Sequence, residues 1–344
     1  RSLSNNLAGR VSGIIAVQRS GEPGYDNSEF WIRGISSFKG GTTPLVLVDG
    51  IPRNMNDIEP DEIETFSILK DAASTAIYGA EGANGVVLIT SKRGKVQKTL
   101  ISYRGEYSFL QPTRLPEFLG AVDFMKLYNE GLSNEGKQPK FSEEIIARTQ
   151  SGLDPDLYPD VQWLDLLKNT TNNQRHTLNF RGGGDKARFF ISGAYFGESG
   201  LFKSNPNVNY ENNIGLKRYN LRSNVDFDVT NTTLLRVDLS GQYLETNYPG
   251  VGTAALFRNM TLAPPNLYPM IFSDGTFASH PTPSANRSNP YNLLMESGYA
   301  KEWRSSIQSK VAIEQKLDVV TDGLMLKGVV SYDSDSRYVS TRTK

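Results

Sequence analysis

The sequence contains no cysteine and only two histidines, His176 and His280, among its 344 residues. Without cysteine the chain cannot form disulfides, thiolate nucleophiles or thiolate-based zinc sites. The two histidines lie about a hundred residues apart, each standing alone in the sequence. We therefore interpret both as polar residues of a strand face or a loop, and we predict no metal site and no cofactor.

The chain also lacks net charge and long apolar runs. Its 37 basic and 37 acidic residues cancel, so the composition gives no reason to expect nucleic acid as a partner. No run approaches the ~18 apolar residues of a transmembrane helix, and residues 1–9 are too polar for a signal peptide. A secreted or outer-membrane protein needs such a signal, so we expect a mature chain or, as we favour, a piece of a longer one.

No pattern typical of catalysis or ion binding is present. There is no nucleophile elbow, and the adjacent Glu143 and Glu144 would point in different directions on a helix. The acidic segments 154–160 and 331–336 lack the ligand spacing of a calcium loop, so we interpret their carboxylates as solvated. The sequence predicts that the protein is not an enzyme.

Residues 65–92, TFSILKDAASTAIYGAEGANGVVLITSK, form the most informative stretch. The pattern predicts a strand at 65–69, a short helix at 72–78 and a buried strand at 86–90. Asp71 can cap the helix, Gly79 can close it, and Gly82 and Gly85 can turn the chain into the second strand. A dinucleotide site requires a strand before its glycines and a helix after them, which excludes that interpretation here.

Residues 1–95 contain short apolar segments separated by Gly, Pro and Asp. This spacing predicts a small mixed α/β domain with its own core. Asp49 and Gly50 should form a tight turn in which the glycine takes the positive φ.

After residue 98 the pattern changes to segments of ~10 residues in which apolar and polar side chains alternate, as in membrane β-strands. In one of these segments Tyr219, Leu221 and Val225 alternate with Arg222 and Asp226. Seven strands are predicted, at residues 101–109, 176–182, 188–196, 219–229, 235–243, 303–319 and 324–332. The many charges of the polar faces favour a barrel with a hydrated lumen over a soluble sandwich.

The connections between these strands alternate between short and long. Tight turns are expected at 182–186, 230–232 and 321–323, and long loops at about 110–175, 199–217 and 246–302. The glycines at 182–184 fit a hairpin turn better than a phosphate loop. Helical spacing appears in the first long loop at 118–132, 142–150 and 161–167. Short turns on one side and long loops on the other are typical of outer-membrane barrels.

Several motifs together resemble the SusC-like family of TonB-dependent outer-membrane transporters. LAGRVSGI, WIRG, PLVLVDGIP, LKDAASTAIYG and GANGVVLITSKRG occur in the order of that family's plug, and FISGAYFGESGLFK and RYNLRSNVDFDVT are similar to its early barrel strands. The plug signature residues are Arg33, Gly34, Asp49, Gly50, Lys70, Asp71, Tyr78, Gly79, Gly82, Asn84 and Gly85. The resemblance implies a plug domain at 1–95 and the first part of a transmembrane β-barrel at 96–344, incomplete because such a barrel has about 22 strands.

The resemblance further implies import of a nutrient, an oligosaccharide or a peptide, across the outer membrane of a Gram-negative bacterium. Its expected partners are TonB with its inner-membrane complex, a SusD-like surface lipoprotein, the nutrient itself and outer-membrane lipid. A siderophore or cobalamin receptor would share the plug and the barrel pattern, and a secreted β-sandwich binding module is a further alternative. The substrate cannot be chosen from these residues.

Two sets of site residues remain open between a functional and a structural role. The resemblance implies that Arg33 pairs with barrel carboxylates, which we expect beyond residue 344, but a surface arginine with a weak pair explains it equally well. Tyr248, Tyr268, Tyr291 and Tyr299 have rings that could stack on sugars in the outer loops. The same tyrosines could equally pack the loops.

Overall fold

The structure is a computed structural model that describes residues 3–7, 13–24, 27–32, 42–206, 208–279 and 288–343. The described residues before residue 97 form a small α/β unit, which we call the plug. The rest form a seven-stranded sheet, which we call the wall, with long connections at one end. The fold class predicted from the sequence is confirmed.

The plug contains a two-stranded ribbon and a four-stranded sheet. Helix α1 (Leu3–Leu7) precedes the ribbon strands β1 (Ile14–Val17) and β2 (Glu29–Ile32), and the sheet contains β3 (Leu45–Val48), β4 (Ile51–Pro52), β5 (Ile63–Leu69) and β6 (Val86–Ser91). The sheet order is β4-β3-β6-β5, and only β3 and β6 run parallel. Val48, Met55, Val87 and Ile89 are buried in one apolar core with residues of α1 and the ribbon.

The stretch 65–92 follows the predicted strand, helix and strand order, with a shorter helix. Helix α2 covers only Ala72–Thr75, and Gly79 (φ 58°, ψ −144°) interrupts the 3-10 segment that follows it. Asp71 is the residue that precedes the helix, as predicted, but its side chain makes no capping hydrogen bond, and its carbonyl accepts from the amides of Ser74 and Thr75. Val86 is fully buried at the start of β6, as expected.

The wall is an antiparallel sheet in which every strand pairs with the next one along the chain. Its strands are β7 (Gln97–Leu110), β8 (Thr171–Gly183), β9 (Ala187–Ser199), β10 (Gly215–Asp228), β11 (Thr233–Pro249), β12 (Tyr299–Lys316) and β13 (Met325–Arg342). Most strands extend beyond the predicted segments, because Thr, Ser and Gly continue the ladder where apolar alternation stops. Residues 229 and 317–319, predicted as strand ends, lie outside the strands.

The connections alternate between short and long as expected from the sequence. The first long connection carries α3 (Ala121–Asn134) and α4 (Glu143–Ser151), and the third carries α5 (Thr253–Leu262) and α6 (Pro290–Met295). Ser142 caps α4, because its Oγ accepts from the amide of Ile145 at 3.3 Å. The third helix predicted there is only a 3-10 turn, Trp163–Leu166.

Two carboxylates of the acidic segment 154–160 accept hydrogen bonds that connect the loops. Asp160 accepts a hydrogen bond from the amide of Ala121 at 2.7 Å and so starts α3. Asp156 accepts from the amide and hydroxyl of Ser273 in the third long connection. No group of carboxylates and histidines able to hold a metal ion occurs in the described part of the chain.

The two faces of the wall differ in polarity. Tyr107, Leu221 and Ile307 on the outward face are 58%, 58% and 52% exposed, whereas Arg222 on the face toward the plug is 2% exposed. A soluble sandwich would bury its apolar face against a second sheet, so this arrangement argues against the sandwich alternative. Within the described ranges, no helix is long and apolar enough to cross a membrane.

Candidate functional site: the contact between plug and wall

Glu59 joins the plug to two strands of the wall. It precedes the 3-10 turn Pro60–Glu62, which leads directly into β5. Its carboxylate forms ion pairs with Arg175 of β8 at 2.8 Å and with Arg218 of β10 at 2.6 Å. The pattern of alternation places both arginines on the lumen-facing side of their strands, so one plug carboxylate is held by two wall cations.

Glu62 and Arg222 form the most deeply buried ion pair of the contact. Arg222 Nε lies 2.8 Å from Glu62 Oε2, and both side chains are 2% exposed. Burial raises the pKa of the Glu62 carboxyl, and the adjacent Arg222 guanidinium opposes that rise. Arg222 also lies 3.9 Å from Asp49 Oδ2, whose carboxylate accepts from the amide and hydroxyl of Ser91.

Arg93 forms ion pairs of the opposite kind, in which the plug supplies the cation and the wall supplies the carboxylates. Its guanidinium contacts Asp226 of β10 at 2.5 Å and Asp238 of β11 at 2.7 Å. Burial by itself lowers the pKa of Arg93, but the hydrogen bonds to both carboxylates outweigh it and the pKa rises. Lys310 of β12 lies 3.6 Å from Asp238 and donates to the carbonyl of Asp49 at 2.8 Å.

The hairpin turn at Asp49 and Gly50 explains how one plug residue reaches these charges. Both residues have positive φ, 52° and 84°, as in the two-residue turns that connect neighbouring antiparallel strands. The turn joins β3 to β4 through the pair Val48 and Ile51. It brings the Asp49 carboxylate and carbonyl against the lumen-facing side of the wall.

Further ion pairs lie toward the edges of the contact. Arg53 of the plug binds Asp333 of β13 through two nitrogens, at 2.8 Å and 2.6 Å. Arg104 of β7 contacts Asp61 at 3.2 Å, and Arg181 of β8 contacts Glu64 at 3.1 Å. Because Arg104 is 61% exposed, we expect its pair to contribute little to stability.

Asp57 is a titratable group in this contact without a full ion pair. Its Oδ2 accepts a hydrogen bond from Gln308 of β12 at 3.2 Å, and its carbonyl accepts from Asn220 of β10 at 3.2 Å. Burial raises the pKa of the Asp57 carboxyl to about 6, although Arg304 and Arg218 oppose that rise.

The plug is therefore attached to the wall mainly through polar groups. A buried ion pair stabilises little relative to an apolar pair of the same volume, but the loss of one partner is costly. Water can replace polar contacts when they separate, whereas separated apolar surfaces lose their burial energy. Such an arrangement can hold a domain in a defined position and still allow it to separate.

The plug signature residues occupy different places. Asp49 contacts the wall through Arg222 and Lys310. Gly79, Gly82 and Gly85 shape the chain between α2 and β6, and Gly85 has φ 91°. Arg33, Gly34 and His280 lie outside the described residues, so the expected pairing of Arg33 stays a prediction. The remaining signature residues in this segment are Lys70, Asp71, Tyr78 and Asn84.

The four loop tyrosines lie at the outer end, with different degrees of burial. Tyr268 is 6% exposed and packs edge-on against Trp163, with ring centroids 5.5 Å apart. Tyr291 packs partly buried against the same apolar cluster, and Tyr299 lies 5.1 Å from the ring of Tyr210. Tyr248 is half-buried at the end of β11. Their role as ligand contacts stays a prediction.

Sequence reasoning missed Glu59, Glu62, Arg53 and Arg93 as site residues. It identified Arg222 and Asp226 only as members of polar strand faces. The signal that could have found the plug residues is the charge-rich run EPDEIE at 59–64, which lies directly beside an apolar strand. Charges that flank a small core need partners when they are buried.

Comparison with known proteins agrees with this architecture. The family described as TonB-dependent Receptor Plug Domain matches residues 1–86. TonB-dependent receptor P39 of Formosa agariphila is 34% identical over 274 residues, which cover 79% of this chain and 24% of the relative. TonB-dependent receptor SusC of Bacteroides thetaiotaomicron is 26% identical over 209 residues, covering 58% of this chain and 19% of the relative.

A solved structure shares the fold over almost the whole chain. The RagAB peptide importer in its closed-closed state superposes with a TM-score of 0.74 at 22% identity, covering 98% of this chain and 39% of that chain. The chain thus spans about a quarter of the length of the first curated relatives it matches. The matching plug family and the relatives support the identification of this chain as a fragment of a SusC-like TonB-dependent transporter, and the solved structure shares its fold.

Proposed function

We propose that the whole protein imports a nutrient through the outer membrane of a Gram-negative bacterium in a TonB-dependent step. In this proposal TonB pulls on the segment before the plug, and the plug rearranges so that the nutrient passes along the wall. The observation that carries the proposal is the docking of the plug on the polar face of the wall through Glu59, Glu62 and Arg93. This contact can hold a closed pore and can separate without exposing a large apolar surface.

We propose an oligosaccharide or a peptide as the nutrient, and a SusD-like surface lipoprotein as the partner at the outer mouth. The similarity to SusC and to the RagAB peptide importer supports both parts. A siderophore or cobalamin receptor is the second candidate, because it would share the plug and the wall. Growth of a deletion strain on single carbon or nitrogen sources, and separately under iron limitation, distinguishes these substrate classes.

A reversible cross-link between plug and wall tests the transport mechanism. Asp61 and Arg104 suit this test because they face each other at 3.2 Å and reagents can reach Arg104. In the full-length protein, Asp61→Cys with Arg104→Cys would be bridged by a short bis-methanethiosulfonate reagent. We expect nutrient uptake to stop after bridging and to return after the bridge is reduced.

The two single cysteine variants, treated with the same reagent, serve as matched controls and should keep wild-type uptake. Uptake in a strain without TonB gives the background. Undiminished uptake by fully bridged protein would contradict a mechanism in which the plug moves relative to β7.

A further inference from the structure

A row of aromatic rings crosses the outward face of the wall close to the long loops. Tyr103, His176, Tyr195, Tyr219 and Tyr243 lie on the five neighbouring strands β7 to β11, and successive ring centroids are 6.2, 6.3, 5.2 and 6.3 Å apart. The Tyr103 hydroxyl also hydrogen-bonds His176 Nδ1 at 2.7 Å. Such rings mark the boundary between hydrocarbon and headgroups in membrane barrels. The row therefore locates the headgroup level on this wall.

A polar cavity opens directly on the loop side of this row. The strand register places Gly197 next to Lys217, and Lys217 next to Glu245, one outward-facing position beyond the rings. The next outward-facing row contains Gly215 and Asn247. The Tyr195 side chain covers Gly197, whereas Gly215 leaves open space beside it, and the cavity here has a volume of about 390 Å³. We call this cavity the headgroup pocket.

Three lysines line the headgroup pocket, namely Lys168, Lys217 and Lys301. Within the described ranges none of the three forms an ion pair. Lys168 is held in place because its amide donates to the carbonyl of Leu201 at 2.6 Å. The Lys301 ammonium lies 5.9 Å from the centre of the Tyr299 ring, a contact that still leaves its N–H donors able to bind an anion.

The pocket also contains acceptors for hydroxyl groups. Glu211 and Glu245 line it, together with the amides of Asn172 and Gln174. Glu198 contributes as well, although its register with Leu216 places its side chain on the plug-facing side of the wall. A bare phosphate would meet these carboxylates unfavourably, whereas a phosphorylated sugar can pair its phosphate with lysines and donate its hydroxyls to the glutamates.

We propose that the headgroup pocket binds the phosphorylated sugar headgroup of an outer-leaflet glycolipid. The lipid's acyl chains would lie along the apolar outward face below the aromatic row, where Leu221 and Leu239 are exposed. The inference depends on the outer-membrane location in the proposed function, but not on the transported substrate. It assigns to this part of the wall a lipid site separate from the plug contact.

Native mass spectrometry of the delipidated full-length protein in mild detergent tests this site, with purified phosphorylated lipid A as the probe. We expect a stoichiometric adduct whose apparent affinity falls about fivefold for each of Lys168→Ala, Lys217→Ala and Lys301→Ala, since a lysine near anionic lipid contributes of order that factor. The triple variant should lose roughly a hundredfold. Lys126→Ala/Lys137→Ala/Lys140→Ala removes the same charge from the first long loop and should bind like wild type.

Two further probes identify the ligand chemistry. Lipid A treated with phosphatase should bind much more weakly, and millimolar inorganic phosphate should not displace the intact lipid. Equal binding of the dephosphorylated lipid, displacement by inorganic phosphate, or an unchanged adduct in the triple lysine variant would overturn the proposal. Nutrient uptake measured on the same variants separates the two proposals, because a lost adduct with intact uptake concerns the lipid site alone.

Discussion

The contact between plug and wall and the core of the outer loops are both buried, but they are built from different side chains. In the contact between plug and wall, Arg222 and Glu62 are almost fully buried as a charged pair. In the outer loops, Leu256, Leu294 and Met260 are buried in an apolar cluster with Trp163. One region relies on ion pairs and the other on apolar packing.

This difference predicts that the plug can move relative to the wall, whereas the outer loops should keep their packed structure. Burial of each large apolar side chain contributes about 1.5–3 kcal/mol, so the loop cluster resists opening. Buried asparagines reinforce it, since Asn212 donates to the carbonyl of Leu294 and accepts from the amide of Asn205. Ion pairs contribute little net stability but define one docked position. The comparison predicts a rigid outer mouth above a releasable plug.

Removal of Arg222 should have the largest effect. Arg222→Met leaves the Glu62 carboxylate buried without its partner at 2.8 Å, which should destabilise the docked plug by about 3–5 kcal/mol. Hydrogen exchange of β5 and β6 in the full-length protein should accelerate strongly, while exchange in the outer loops should stay unchanged. Protection of β5 and β6 as in wild type would show that the pair is not essential for docking.

A second variant separates the cost of a lone charge from the value of the pair. Glu62→Leu/Arg222→Met replaces both charges with apolar side chains of similar size, so most of the lost stability should return. Arg148→Met removes an exposed pair with Glu144 and should leave the stability nearly unchanged. A double variant as unstable as Arg222→Met would contradict the view that desolvation of a lone charge dominates.

Truncation of the loop cluster should affect the opposite region. Leu294 is fully buried, and Leu294→Ala should destabilise the outer loops locally by roughly 2–5 kcal/mol through lost burial and a residual cavity. Hydrogen exchange should accelerate in α5 and α6 and not in the plug. Leu153→Ala, at a position that is 89% exposed, is the matched control. Equal acceleration in plug and loops would show that the two regions unfold together.

The asparagine contacts should be worth less than the apolar core. Asn212→Ala leaves the amide of Asn205 and the carbonyl of Leu294 without their partners, which should cost about 1–3 kcal/mol. The expected result is a lower melting temperature of the loops by near-ultraviolet circular dichroism. Asn169→Ala, on the surface of the first long loop, should leave it unchanged. A decrease in melting temperature as large as that of Leu294→Ala would contradict the expectation that apolar contacts stabilise the loops more than polar contacts do.

The wall was predictable from the sequence because alternation is a local signal. A residue such as Leu221 or Arg222 reveals its face from its neighbours, since successive side chains point to opposite sides of a strand. The short and long connections then gave the antiparallel order. The ends of strands were less accurate, because β13 continues to Arg342 through serine and threonine residues that carry no apolar alternation.

The partners of the site were not predictable because they depend on distant parts of the chain. Glu62 and Arg222 are separated by 160 positions, and no local pattern links them. Asp71 occupies the predicted position before the helix, but its side chain makes no capping hydrogen bond. The resemblance pointed to Arg33, whose pairing stays a prediction, and the pairs seen in the described residues involve Arg53, Glu59, Glu62 and Arg93. Charges beside short apolar segments indicate an interface but not its pairing.

The smallest predicted effect concerns Asp57, which tests whether the plug contact responds to pH. Its pKa of about 6 when docked lies above the value of 3.8 in water. The docked state thus holds more protons between about pH 4 and 6, and the stability that protonation provides is lost as the pH rises through 6. Asp57→Asn keeps the acceptor for Gln308 and should stabilise docking at pH 7 by about 1–2 kcal/mol, reduced from the full shift by partial solvent exposure.

The pH profile of the difference between Asp57→Asn and wild type is the decisive measurement, because other groups near the turn titrate in both proteins. The guanidinium groups of Arg304 and Arg218 lower the pKa of Asp57, and the carboxylate of Asp335 raises it. The difference in melting temperature should vanish near pH 4 and reach a plateau above pH 7. Asp274→Asn in the outer loops should show the opposite trend, because hydrogen bonds from Thr276 lower the pKa of Asp274 and stabilise its ionised form. A difference for Asp57→Asn that is constant from pH 4 to 8 would mean that this carboxyl does not titrate with docking, and that the polar contact holds the plug independently of protons.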